Sequence, residues 1–404
     1  MSKKLKILLV ANSVPLPATD FLKYKLFGLS KLFNLHFICW DSKANRDAFY
    51  QTSSDKLEGR NIHLFYDKLN ALTIIRLSLL CLLRVLFTPH IAVPLFAKLS
   101  KHYNGKQLFS KFILYYPIVN LKPDIIHFEY GTLAHSFSDI KDYLQTKTTV
   151  SFRGYDINYV GLESGSYYDE VWSHFDGFHF LGIDLKNRAI KRGYISEKYE
   201  AVISPAIDID FFIPADVEKN NKKFVVLSVG RFAWKKGYEY GLQAVAKLKE
   251  MGISTEYRIV AEGEHIQPIR FIISELGLEH DVVLLTGKTQ NDIKTEMQKA
   301  HVLLHPALSE GFSNAVLEAQ AMQLPVVATN ADGLSENIED GKTGFIVSVF
   351  DVQAMADKLE WCYDNQDKLI EMGQAGRKRV TTHFKIEDQI KKFEAFYKEV
   401  HAGG

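Results

Sequence analysis

The feature that most constrains this 404-residue chain is a rhythm. Short runs rich in Val, Ile, Leu and Phe alternate with longer stretches of helical period. Neighbouring parallel strands must be joined by a crossover, which is usually a helix, so such alternation predicts parallel α/β sheets. The second half shows it most cleanly. It predicts strands over 224–229, 256–261, 282–285, 302–305 and 325–329, with helices over 238–251, 266–276, 292–299 and 314–322 between and after them. In the first half, 6–11, 35–40, 62–66, 125–128 and 148–152 read as strands, and 21–33 and a later basic segment as helices.

At roughly 150 residues per domain the length suits two domains better than one. The segment PAIDIDFFIPADVEKNNKK, residues 205–223, has two prolines and a polar, charged run and is the best linker. The expectation is an α/β protein of two doubly wound, Rossmann-like domains facing a central cleft. Residues 1–205 form the first domain, 206–385 the second, and 386–404 a terminal helix crossing back to the first. Ligands of such sheets bind beyond the carboxyl ends of the strands.

Net charge is only +1, which argues against a protein that coats nucleic acid. The balance hides an asymmetry: 26 Lys and Arg stand against 18 Asp and Glu before Pro205, and 23 against 30 from there on. The excess of the first half lies in one stretch, Lys68 to Lys122, with eight Lys or Arg and no acid. Within it, Ala71 to Phe87 is strongly apolar but broken by Arg76 and Arg84, too short and too charged to span a bilayer. Basic residues beside Leu, Ile and Phe suit docking on an anionic membrane surface; core helices with a solvated basic face would look the same. The lysines and apolar run at the N-terminus read as a first strand rather than a signal peptide, since Lys6 interrupts the run and no cleavage site follows. Cys39, Cys81 and Cys362 are too scattered for a zinc site or a disulfide framework, which points to the cytoplasm.

Several chemistries lack their motifs. No G-x-G-x-x-G turn follows the strands ending at Val10 or Val229, and the P-loop, HExxH and G-x-S-x-G patterns are missing. Asp208-Ile209-Asp210 matches a short metal-diphosphate pattern, but three residues in a linker are a weak signal. Two constellations are more specific. Gly230-Arg231-Phe232-Ala233-Trp234-Lys235-Lys236-Gly237 joins a strand to a helix, where a diphosphate would meet Arg231, Lys236 and a helix N-terminus. Taken alone, it is equally a surface turn with cations. Ser309-Glu310-Gly311-Phe312-Ser313-Asn314-Ala315-Val316-Leu317-Glu318 again leads from a strand into a helix, with Ser313 or Asn314 as N-cap and free N–H groups for a phosphate. Glu310 and Glu318 are sound acceptors for sugar or ribose hydroxyls; a turn residue and a solvated helix position are the structural alternatives.

Together these strings resemble a family 4 glycosyltransferase, a retaining enzyme of the GT-B class. VGRFAWKKG is similar to that family's G-R-x-x-x-x-K-G loop, and SEGFSNAVLEAQAMQLPVVAT to its E-G-F-(x5)-E signature and continuation. Asn330 to Glu336 and Asp340 to Phe345 follow in the family's order. The resemblance implies that Arg231 and Lys236 neutralise the donor diphosphate in place of a metal. It also implies that Glu310 and backbone groups from Gly311, Phe312, Ser313, Asn314 and Ala315 meet sugar and phosphate, and that Glu318 holds the ribose. Where relatives carry H-G-x-D, this chain has Arg153-Gly154-Tyr155-Asp156. Arg153 cannot act as a base at neutral pH but can bind an anionic group. The family's Gly-Gly in the first loop is replaced by Ser13-Val14-Pro15-Leu16-Pro17. His127, Glu129 and Asp156 are acceptor-side candidates.

The resulting expectation is a metal-independent, cofactor-free cytoplasmic enzyme, peripheral on the inner membrane face. It would transfer sugar from a nucleotide-sugar to a lipid-linked or envelope glycan with retention, and use no nucleic acid. The alternatives are another GT-B activity, such as an epimerase, or a weakly catalytic nucleotide-sugar-binding subunit.

Overall fold

The structure, a computed structural model, describes residues 4–15, 21–40, 44–45, 47–49, 62–65, 79, 83, 85–195, 198–215 and 223–403. Arg76, Cys81, Arg84, Leu16 and Pro17, most of the apolar stretch 71–87 and linker residues 216–222 lie outside them. The chain divides into two compact units. Unit 1 contains Met1–Phe180, Arg188–Ala201 and Lys392–Gly404, and unit 2 contains Leu181–Asn187 and Val202–Lys391.

Among the described residues, unit 1 is built on a seven-stranded sheet of β1 (Lys6–Ala11), β2 (Asn34–Trp40), β3 (Ile62–Phe65), β4 (Ile125–Phe128), β5 (Lys147–Phe152), β6 (Gly177–Phe180) and β7 (Tyr199–Val202). Their spatial order is β3-β2-β1-β4-β5-β6-β7. Central β1 pairs in parallel with β2 (Leu9 opposite Phe37) and β4 (Leu9 opposite His127). Ile7, Leu8, Leu9 and Val10 have no exposed surface, as a parallel strand covered on both faces requires.

Unit 2 repeats the plan with six parallel strands: β8 (Phe224–Arg231), β9 (Thr255–Glu262), β10 (Val282–Leu285), β11 (Val302–His305), β12 (Val326–Thr329) and β13 (Gly344–Val347). They are ordered β10-β9-β8-β11-β12-β13. In both sheets the order reverses beside the first strand, between β1 and β4 and between β8 and β11. That reversal opens the crevice where doubly wound sheets bind ligands.

Three strands escape the sequence reading: β6, β7 and β13. Two of them begin with glycine, which lowers strand propensity, and packing explains why glycine is there. A Cβ on Gly177 would lie 2.8 Å from Val400 and 3.0 Å from Phe396, on the Ile386–Ala402 helix that covers β6. A Cβ on Gly344 would lie 2.4 Å from the Val326 carbonyl oxygen of its partner strand. The described part of the candidate linker is ordered: Ile207 and Phe212 are buried, and Arg377 donates to the carbonyls of Ile209 (3.1 Å) and Phe212. In the terminal helix, residues through Lys391 belong to unit 2, and the buried Phe393, Phe396, Tyr397 and Val400 to unit 1.

Candidate functional site

In unit 2 the two sequence constellations meet at the reversal point. β8 ends at Gly230-Arg231 and runs through a short turn, Trp234–Lys236, into the Tyr238–Glu250 helix. Gly237 between them has φ +61, and a Cβ there would sit 2.1 Å from the Pro306 carbonyl oxygen, so only glycine fits. That close approach presses the loop after β8 onto the loop after β11. Leu308 N–H then donates to the Lys235 carbonyl at 2.8 Å.

The contact brings Lys236 against Glu310. Their ion pair is largely shielded, with side chains 13% and 14% exposed. Burial by itself would raise the Glu310 carboxyl, but Lys236, with help from His305, outweighs it and holds the group far below the usual carboxylate range. Behind Glu310, Asp332 accepts from the Ser309 hydroxyl and from the Glu310 N–H at 3.2 Å. Asn337 clamps the next turn, its Oδ1 accepting from Ser313 N (3.1 Å) and its Nδ2 donating to Ser313 O (2.9 Å). Ser313 is the N-cap of the Asn314–Ala321 helix, its hydroxyl accepting from Val316 N. Gly311, Phe312 and Ser313 are buried, while Asn314 and Ala315 are half-buried at the helix start. Arg231 is exposed.

Glu318 is the anomaly of this helix. Its carboxylate is half-buried, has no hydrogen-bond or ion-pair partner among the described residues, and burial pushes it up to about 7. An ionisable acceptor left unpaired inside a protein waits for a donor.

In unit 1, the residues picked out at the ends of β4 and β5 form one buried network. Glu129, fully buried, accepts from Lys25 (2.6 Å) and from Arg153 Nη2 (2.9 Å), and Arg153 Nε donates to its carbonyl. His127, also fully buried, faces Thr149 (2.8 Å), Ser151 (2.9 Å) and Lys25 (3.0 Å). Burial, then Lys25, His179 and Arg153, hold its ring well below its ordinary value. Asp156 accepts from the N–H groups of Arg153 (3.0 Å) and Thr132 (3.2 Å), anchoring the Gly154–Asn158 helix. Among Lys25, His127, Glu129, Arg153 and Asp156, Arg153 keeps the most exposure, 15% of its side chain. Lys25 was missed. Its signal was a lone lysine between Leu22, Leu26 and Leu29 on the apolar face of a helix, and its ammonium lies 3.8 Å from the Phe393 ring centroid.

Asp208 spends Oδ1 on the N–H groups of Asp210 and Phe211. Among the described residues no three His, Cys, Asp or Glu are placed to hold a metal ion, and no helix is long and apolar enough to cross a membrane. A cavity of about 340 Å3 lined by Met297, His301, Gln323 and Pro325 lies at the other end of the unit 2 sheet, remote from these loops.

Comparison with known proteins gives this geometry a context. Residues 210–379 match the family of glycosyl transferases group 1. The chain is 32% identical over 205 residues to the putative colanic acid biosynthesis glycosyltransferase WcaL of Escherichia coli, covering 49% of this chain and 50% of that protein. It is 28% identical over 269 residues to the amylovoran biosynthesis glycosyltransferase AmsK of Erwinia amylovora, covering 64% and 66%. The chain thus spans about half the length of most curated relatives it matches. Among solved structures, Anabaena HepE in complex with UDP superposes with a TM-score of 0.76 at 15% identity, over 98% of this chain and all of that one. A sucrose-phosphate synthase from Thermosynechococcus elongatus does so at 0.75 and 15%, over 99% and 100%. These likenesses show the fold, two Rossmann-like units of the GT-B class.

Proposed function

We propose that this protein, whose residues 210–379 match the glycosyl transferases group 1 family, is a retaining glycosyltransferase that carries sugar from a nucleoside-diphosphate sugar to a lipid-linked or envelope glycan. The observation that carries the reading is the Lys236–Glu310 ion pair joining the loops after β8 and β11 at their reversal point, with Arg231 at the end of β8 and Glu318 on the helix that follows β11. Arg231 and Lys236 neutralise the departing diphosphate, the task a metal ion performs elsewhere, so no cofactor is needed. The free N–H groups at the start of the Asn314–Ala321 helix favour the same negative charge. Glu310 accepts from a hydroxyl of the donor sugar, and Glu318 from the ribose. Retention follows from front-side attack, with a donor phosphate oxygen taking the acceptor proton; no protein nucleophile is required.

On the acceptor side, Glu129 fixes Arg153, and His127 and Asp156 brace the strand ends from within. Arg153 is then the residue of this set that reaches an acceptor, and its charge favours an anionic one. HepE is described with UDP and with UDP-glucose, and WcaL and AmsK are named for polysaccharide biosynthesis, which supports the donor class and the glycan product. The acid-free stretch supports work on the cytoplasmic membrane face. Its described part exposes Leu86, Phe87, Val93, Phe96 and Phe109 beside Lys98, Lys101 and Lys106.

Purified protein incubated with UDP-, GDP-, ADP- and CMP-sugars tests the reading. A nucleoside-diphosphate sugar that raises thermal stability and is turned over is expected. Glu310→Ala lowers turnover and Lys236→Ala weakens diphosphate binding. Normal transfer by both variants refutes the site, and binding without turnover favours a nucleotide-sugar-binding subunit.

A further inference from the structure

Among the described residues, two buried polar atoms beside the Lys236–Glu310 pair have no hydrogen-bond partner: His305 Nε2 and Tyr238 Oη. The residues are 2% and 3% exposed. Neither is part of the sequence motifs, and the donor reading does not use them. His305 is the last residue of β11, opposite Ala328 of β12 and five positions before Glu310. Its Nε2 lies 3.6 Å from Glu310 Oε2, the oxygen that Lys236 holds. At that distance the ring nitrogen makes no hydrogen bond, yet a shift of about 0.7 Å would close one. Lys236 occupies the acceptor His305 faces.

Gly230 leaves the Lys236 stem uncrowded from that side. A Cβ there would lie 3.4 Å from Lys236 Cε and 2.7 Å from Tyr238 Oη. A diphosphate offers Lys236 more negative charge than one carboxylate. Once Lys236 turns to it, Glu310 is left shielded without a counter-ion, an expensive state unless another donor steps in.

We propose that His305 is a positioning residue for Glu310, taking over the carboxylate when a bound diphosphate draws Lys236 away. The inference rests on the donor-site reading above. It gives Glu310 two partners for two states: Lys236 while the site is empty, and His305 Nε2–H once the donor is bound, which aims the free oxygen at the sugar.

A proton signature follows. Burial first and then Lys236 hold the His305 ring below its ordinary value, with Glu310 opposing. The groups facing the pair are Lys236 and Lys235 from the turn after β8, Arg231 from the strand end, Tyr238 from the helix start, and Asp332. Removing Lys236 from beside the ring and adding phosphate charge nearby both raise its proton affinity, so the ring takes a proton from solvent as the diphosphate binds.

The test is histidine NMR titration of the full chain with and without saturating inorganic pyrophosphate, the His305 resonance being identified by its loss in His305→Gln. The expected result is a titration midpoint at least one pH unit higher with pyrophosphate, about tenfold in proton affinity. In turnover assays, His305→Leu should lose about tenfold in kcat with little change in the donor KM, because Lys236 still binds phosphate, and His305→Gln, which keeps an N–H, should recover most of it. An unmoved or lowered midpoint while other resonances respond to pyrophosphate overturns the role of His305 alone, as does full kcat in His305→Leu. If pyrophosphate perturbs no resonance of the loops after β8 and β11, the donor-site reading falls with it. Should His305→Leu fail to fold, the midpoint and the His305→Gln turnover decide.

Discussion

Glu318→Gln should make the protein more stable and less able to bind its ligand, with both effects set by pH. The Glu318 carboxyl has moved from an ordinary 4.5 to about 7 because burial removes water from its charged form and no protein group compensates. At 1.36 kcal/mol per pH unit this is about 3 kcal/mol. The carboxylate keeps a partial opening to solvent, which screens its charge, so about 2 kcal/mol is the better figure. A raised acid favours the fold while it is protonated. Below pH 4.5 both folded and unfolded chains hold a neutral Glu318, and its contribution is fully present. Between 4.5 and 7 the unfolded chain is ionised while the folded one is not, and stability falls as pH rises. Above 7 the fold carries the full cost.

Glutamine never ionises. Relative to wild type, Glu318→Gln should therefore be stabilised by about 2 kcal/mol at pH 8 and by almost nothing at pH 4. For a unit of this size that is on the order of 4–8 °C in Tm at pH 8. Calorimetry across this range measures it. Nucleoside-diphosphate binding should strengthen in wild type as pH rises through 7, because only the ionised group accepts from two ribose hydroxyls. In the variant it should be weak and flat with pH. An equal stability change at both pH values, or a loss at pH 8, refutes the reasoning, since either would mean that Glu318 has a protein partner.

Other perturbations test the frame around the site. Gly237→Ala forces a Cβ into the Pro306 carbonyl at φ +61 and should cost about 3 kcal/mol or more, read as a lowered urea midpoint together with lost diphosphate binding. Arg192→Lys removes a fork that donates to the carbonyls of Asp156 (3.1 Å), Ile157 (2.9 Å), Val160 (2.7 Å) and Gly161 (3.1 Å). One ammonium cannot replace that geometry. A loss of about 2 kcal/mol and faster proteolysis within 156–166 are expected. Phe87→Ser together with Phe96→Ser should lower co-sedimentation with phosphatidylserine-containing vesicles and leave binding to neutral vesicles unchanged.

Much of the chain's character is local and was therefore legible in order of residues. Fully buried parallel strands must be apolar runs, so β1, β4, β8 and β11 announce themselves, and the spacing of strand, loop and helix places Arg231, Lys236, Glu310 and Glu318 at carboxyl ends. The strands that begin at Gly177 and Gly344 did not show, because their glycines answer to a helix and a neighbouring strand distant in sequence. Partnership was equally out of reach. No pattern says that Lys236 reaches Glu310 across 74 positions, that Lys25 and Arg153 share Glu129, or that Glu318 and His305 Nε2 have no hydrogen-bond partner among the described residues. Sequence alone determined the fold class and the chemical types at the site, since backbone geometry and hydrophobic period act over a few residues. Tertiary structure alone decided which charges are matched and which are waiting, because burial and pairing depend on which loops the sheet brings within a few ångströms.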